Sequence, residues 1–215
     1  MVGILHTRAM PPSSPSPLQT AIRRELHFFS LYRVLEGALL CLTVFSPVGV
    51  FLGGEPRHPV LAAVVAAAYL LGACLLFFTR KGGHVRPMVL LGIGLDITAS
   101  LLAMHALPSA AAGIAMMLLF NVGAAAMLLP QRWSLVIAAL AGGALLGEHL
   151  WTLLAGHGRD RPLAEMLMFS VSYLAIATLT SIVGRQMRAS QALAEERGSQ
   201  VANMAEVNEL IIRRM

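Results

Sequence analysis

The chain has 215 residues, of which 57% are hydrophobic and only 13% charged, with a mean hydropathy of +0.71. Soluble domains carry about 25% charged residues, so the composition points away from a soluble domain and towards a multi-span membrane protein. The net charge of +5 does not mark a nucleic-acid binder, because no basic patch interleaves with aromatic residues.

Residues 1–17 include the stretch PPSSPSP, which supports neither a helix nor a packed core. They read as a disordered arm, without the apolar region of a signal peptide. Residues 18–31, covering most of TAIRRELHFFSLYR, read as an amphipathic segment at the membrane surface. Six apolar segments follow, at 32–52, 59–79, 88–106, 111–129, 133–155 and 163–184. Each approaches the roughly 20 residues that a helix needs to cross the hydrocarbon layer. Helices are the expected form, because lipid offers no partner for an open backbone group. GGEPRHP, RKGGHVRP, LPSA, LPQR and GHGRDRP punctuate the segments as turns. Such short connections make sequential helices antiparallel neighbours. The expected fold is therefore all-α: a polytopic six-helix bundle over 32–184.

Lysine and arginine set the expected orientation. With a cytoplasmic N-terminus, 13 of the 16 basic residues fall inside, and only Arg57, Arg159 and Arg161 fall outside. Basic loops stay in the cytoplasm, so both termini are expected there. The short outer connections leave no room for an extracytoplasmic sensor domain in this chain.

Polar groups within the spans are costly in lipid, and they mark candidate sites. Asp96 falls near the middle of the third span and Asn121 near the middle of the fourth. Antiparallel packing brings them to a similar depth, within reach of a mutual hydrogen bond. Glu148 and His149 lie in the outward half of the fifth span, and His105 near the outer end of the third. Arg33 and Glu36 are one turn apart, expected near the inner end of the first span, and that spacing permits a local pair. Asp96, Asn121, Glu148 and His149 are the candidate signal-sensing residues, either as a surface for a partner helix or as satisfied packing groups. Ala139, Gly143 and Gly147 recur every four residues and allow close approach of another helix, inside the bundle or outside it. Pro47 is expected to kink the outer end of the first span. Trp133, Trp151 and Tyr32 are expected at the interfaces. Cys41 and Cys74 sit in apolar runs and read as small buried hydrophobes. The sequence contains no zinc spacing, no H-E-x-x-H and no serine–histidine nucleophile motif, so no catalytic or metal residue is assigned.

The last span runs on through GRQMRASQALAEERGSQVANMAEVNELIIRRM without a proline. Residues 185–215 are expected to form a continuous cytoplasmic signalling helix. Val201, Met204, Asn208, Ile211 and Met215 step by three and four residues, the rhythm of a coiled-coil seam. Asn208 on that seam would lower stability but fix the register, as a parallel homodimeric stalk requires. The competing reading is an amphipathic helix lying on lipid headgroups.

The stretch LAEERGSQVANMAEVNELIIRRM resembles the junction helix of the PilS family of sensor histidine kinases, which regulate type IV pilus genes. HFFSLYRVLEG and QRWSLVIAAL are similar to that family's entries to the first and fifth spans. The resemblance implies a sensor half ending at Met215, with PAS, phosphoacceptor and ATP-binding domains to follow. No cofactor is expected in this stretch, and ATP and magnesium belong to the implied kinase region. The implied partners are membrane lipid, a second copy of the chain, the transmembrane helix of pilin and a response regulator. A six-span transporter or channel subunit is the alternative, and it predicts broken helices and an internal repeat. Another alternative keeps the sensor but couples it to a different output domain.

Overall fold

A computed structural model describes residues 17–47, 56–79, 85–156 and 162–214. The predicted arm falls almost entirely outside them, and Met215 lies outside them as well. The described residues form six long helices and one short 3-10 turn. The helices are α1 (Pro17–Phe45), α2 (Pro59–Thr79), α3 (Val85–Ala106), α4 (Ala111–Leu128), α5 (Gln131–Leu154) and α6 (Leu163–Arg214). All six contain stretches long and apolar enough to cross a membrane. No strand occurs among the described residues.

The turn residues act where their chemistry requires. α1 stops at Phe45, two residues before Pro47. A residue that precedes proline is pushed out of the helical region, so Pro47 lies beyond the helix end, and the expected kink is a termination. Pro108 opens the 3-10 turn between α3 and α4, in a four-residue connection. Leu129 is extended ahead of Pro130, which makes a two-residue turn into α5. Gly156, at φ +76°, closes the end of α5, where other residues would be strained.

The apolar part of α1 covers His27–Phe45, several residues upstream of the predicted 32–52. The amphipathic segment before it is the first part of the same unbroken helix. This shift carries Arg33 and Glu36 from the expected end of the span to its middle, and it also takes Tyr32 below the interface. Tyr32 packs edge-on against Phe120 of α4, with ring centroids 6.3 Å apart.

The six helices pack as two groups of three. α1, α2 and α3 contact one another in sequence, and α6 packs on both α4 and α5. α4 joins the groups by touching α1 and α3 as well as α5 and α6. Half of its span is buried, more than in any of the other five. The core is rich in alanine: Ala115, Ala125, Ala138, Ala141 and Ala177 are fully buried. Small residues let helices approach closely where lipid supplies no hydrophobic drive between them. Gly142 is one such point: a Cβ there would sit 3.1 Å from Ser170 of α6, whose hydroxyl donates to the Gly142 carbonyl at 3.1 Å.

The row expected from sequence lies one step around the helix from this seam. Ala139, Gly143 and Gly147 are exposed, with nothing within 4 Å of a Cβ added at either glycine. Their small surface faces outward instead of into the bundle. Trp133 and Trp151, near opposite ends of α5, also face outward, as interfacial rings do.

α6 is a single helix of 52 residues, ~78 Å long at 1.5 Å per residue. About 20 residues suffice to span the hydrocarbon, so the remainder projects beyond the bundle as a stalk. The bundle therefore has a stalk end, with the α2–α3 and α4–α5 connections, and a distal end with the other three connections.

Candidate functional site

Charged and polar side chains from α1, α2, α3 and α4 meet at the centre of the bundle. Arg33 and Asp96 form a fork-to-fork ion pair. Arg33 Nε donates to Asp96 Oδ1 at 2.7 Å, and a terminal nitrogen donates to Oδ2 at 2.7 Å. Such bidentate pairing fixes direction as well as distance. The guanidinium also lies 4.5 Å from the centroid of the Phe29 ring. It crosses α3 directly over Gly92, where any Cβ would collide with it. Both partners are buried, and Asp96 has no exposed surface.

Glu36 lies one turn further along α1. Asn121 donates its amide to Glu36 Oε2 at 2.6 Å, which ties α4 to α1. The Tyr69 hydroxyl lies between the two carboxylates, 3.0 Å from Glu36 Oε2 and 3.0 Å from Asp96 Oδ1. Four helices are thus connected through five side chains at mid-depth. A cavity of about 20 Å³ adjoins Glu36 and Asn121.

The sequence reading located the members of this cluster but not their pairings. Asp96 and Asn121 do lie on neighbouring helices at similar depth, yet Asn121 bonds to Glu36 instead of Asp96. Arg33 and Glu36 do not pair with each other; each reaches across to another helix. Tyr69, in AAAYLLGA, was read only as part of an apolar span. A lone hydroxyl-bearing ring at mid-span was the available signal for it. Gly92 likewise was missed, and only the path of Arg33 reveals its purpose.

Glu148 and His149 diverge although they are adjacent in sequence. Glu148 faces His105 of α3, with Oε1 3.3 Å from Nδ1. His58, just before α2, stacks on His105 at 5.6 Å between centroids and 15° between planes. The backbone N–H of Arg57 donates to the Ala106 carbonyl at 2.9 Å and holds this distal corner together. His149 is buried elsewhere on α5 and takes no part in that corner.

At the stalk end, Arg188 of α6 donates to the carbonyl of Met127, in the last turn of α4, at 2.8 Å. Gly184, one turn earlier, lets that carbonyl approach α6 closely. A cation is well placed at a helix C-terminus, where unpaired carbonyls concentrate negative charge. In sequence Arg188 was only one of the basic residues that set orientation.

On the stalk, Val201 and Met204 are exposed apolar residues. Asn208 and Ile211 continue the helical backbone, with side chains outside the described set. Among the described residues, no cluster of three or more histidine, cysteine or acidic side chains offers a metal site. Cys41 and Cys74 are both free thiols, partly buried.

Comparison with known proteins adds an independent finding. The family described as the PilS-like transmembrane domain matches residues 16–194. The chain is also 28% identical over 199 residues to the sensor protein kinase PilS of Pseudomonas aeruginosa. That match covers 90% of this chain and 36% of the relative, so the chain spans little more than a third of that protein. No solved structure matches it.

Proposed function

Because the chain belongs to the PilS-like transmembrane domain family, we propose that it is the sensor region of a membrane histidine kinase that controls type IV pilus genes through a response regulator. Its signal in this reading is the apolar N-terminal helix of pilin within the inner membrane. ATP and magnesium would serve a kinase region outside this chain, and no residue here is assigned to them. The carrying observation is α6, which packs along the bundle and then leaves it unbroken. A continuous helix transmits rotation or translation, whereas a hinged one dissipates it. The transporter alternative predicts interrupted helices, and each of the six helices is continuous between its ends.

The stalk pairs with that of a second copy along Val201, Met204, Asn208, Ile211 and Met215, and both termini lie in the cytoplasm. Pilin docks on the outward face of Ala139, Gly143 and Gly147, where its backbone can come close. Glu148, which faces His105 of α3, is the second candidate for a polar contact. Asp96 acts at second hand, through its bonds to α1 and α2, since it is wholly buried. For pilin to change output, it must bind two bundle arrangements with different affinity.

The test is a chimera in which this chain replaces the membrane region of the Pseudomonas kinase. Autophosphorylation and a pilin-promoter reporter are measured with and without pilin. The expected result is a several-fold change in output with pilin, reduced by Gly143→Leu with Gly147→Leu. A chimera that phosphorylates itself but ignores pilin overturns the signal assignment. Disulfide crosslinking of cysteine placed at Val201 or Asn208 is expected between two copies, and monomers under all conditions would overturn the paired stalk.

A further inference from the structure

The hydrogen-bond donors at the centre of the bundle do not match the acceptors. Arg33 Nε and a terminal nitrogen are both committed to Asp96. Glu36 brings a second carboxylate to the same cluster. The Tyr69 hydroxyl has one hydrogen to share between two carboxylate oxygens, each 3.0 Å away. Glu36 Oε1 and Asn121 Oδ1 are buried acceptors without a hydrogen-bond partner; the Tyr32 hydroxyl, one turn back on α1, also approaches Glu36 but closes no bond to Oε1. Glu36 is only 4% exposed and Asn121 only 2%, so neither is served by bulk water. Both border the cavity of about 20 Å³. A single water needs ~10–15 Å³ and two to four polar partners.

We propose that this is a binding site for one proton and one water molecule, with the proton on Glu36. A proton on Oε2 donates to the Tyr69 oxygen, which frees the Tyr69 hydrogen for Asp96 Oδ1. A water in the cavity donates one hydrogen to Glu36 Oε1 and the other to Asn121 Oδ1. Every acceptor named is then served, and two carboxylates no longer face one guanidinium in the low-dielectric interior. The ionisable groups facing Glu36 are Tyr32 on its own helix, Tyr69 on α2 and Asp96 on α3, with Arg33 beyond Asp96.

The cavity also defines a side. Leu40, Ser100, Ala103 and Ile114 line it, and each lies towards the distal end from Glu36 and Asn121. Arg33 and Asp96 close the opposite side. The site stands whether or not pilin is the signal.

The test is infrared spectroscopy of the chain in lipid nanodiscs with isotope-labelled glutamate, in light and heavy water near neutral pH. A labelled carboxylic-acid carbonyl band is expected, shifted by deuterium, absent from Glu36→Gln and retained in Glu148→Gln. Tyr69→Phe should keep the band but move it. A spectrum with only ionised glutamate overturns the proposal, as does a band that vanishes with Glu148→Gln. If Glu36→Gln fails to fold, the labelled band of the unmodified protein and of Glu148→Gln decides alone. A parallel arm follows thermal unfolding in sodium, potassium or choline chloride at equal ionic strength. Equal midpoints are expected; a rise with one alkali ion, lost on changing Ser100→Ala or Asn121→Leu, replaces the proton by a metal cation and overturns the assignment.

Discussion

The two halves of the bundle are held together by different physics. α1, α2 and α3 meet around an ion pair, a second carboxylate and a tyrosine, while α5 and α6 meet on α4 through alanine, glycine and serine. The polar centre is directional: Arg33 fits Asp96 in one geometry only. The small-residue seam is steric, and it depends on the absence of side chains at Gly142 and Gly184. α4 belongs to both halves, through Asn121 on one side and through Ala115 and Met127 on the other, where their carbonyls accept from Tyr173 and Arg188. A rearrangement at the centre can reach the stalk by displacing α4.

The largest effect is expected at the ion pair. Removing one partner of a buried pair strands the other and costs about 3–5 kcal/mol. Asp96→Asn and Arg33→Leu should each lower the thermal midpoint of the detergent-purified protein sharply. The double change Arg33→Leu with Asp96→Leu should recover most of that loss, since hydrophobic replacements of both partners are often neutral or better. If the double variant is as unstable as the sum of the two singles, the pair is not the feature that holds the first half.

The steric half is tested by two neighbouring glycines. Gly142→Leu forces a side chain against Ser170, and overpacking of this kind costs about 1–3 kcal/mol. Gly143→Leu meets open space and should leave the thermal midpoint nearly unchanged. Equal destabilisation by both would refute the distinction between the inward seam and the outward face.

The same distinction shows what the sequence disclosed and what it withheld. The six helices were legible because apolar length and proline punctuation are local properties. So was the depth of Asp96 and Asn121, which follows from counting residues along antiparallel spans. Pairing was not legible, because it depends on register between helices. A shift of about five residues at the start of the first span moved Arg33 and Glu36 from its edge to its centre and changed all their partners. Rotation was equally hidden: the Ala139, Gly143 and Gly147 repeat announces a close-packing face, but α5 has two such faces and periodicity does not say which one the bundle uses. Tyr69 escaped notice because a single tyrosine among alanines and leucines barely lowers the mean hydropathy of a 21-residue span.

A small effect on stability is expected where the two halves communicate with the stalk. Arg188→Gln removes a cation from the C-terminal end of α4, an interaction worth about 0.3–1 kcal/mol for a partly exposed group. The bundle should therefore survive with only a slightly lower midpoint. The consequence lies in coupling, because Arg188 is the side chain by which α6 grips the end of α4 as it leaves the bundle. In the chimeric kinase, Arg188→Gln should reduce the change in output that follows a signal while leaving basal autophosphorylation in place; Arg188→Lys, which keeps the charge, should restore part of it. A variant with full response would show that α6 is driven through its α5 contacts alone, and α4 would then be a scaffold instead of the link between the polar centre and the stalk.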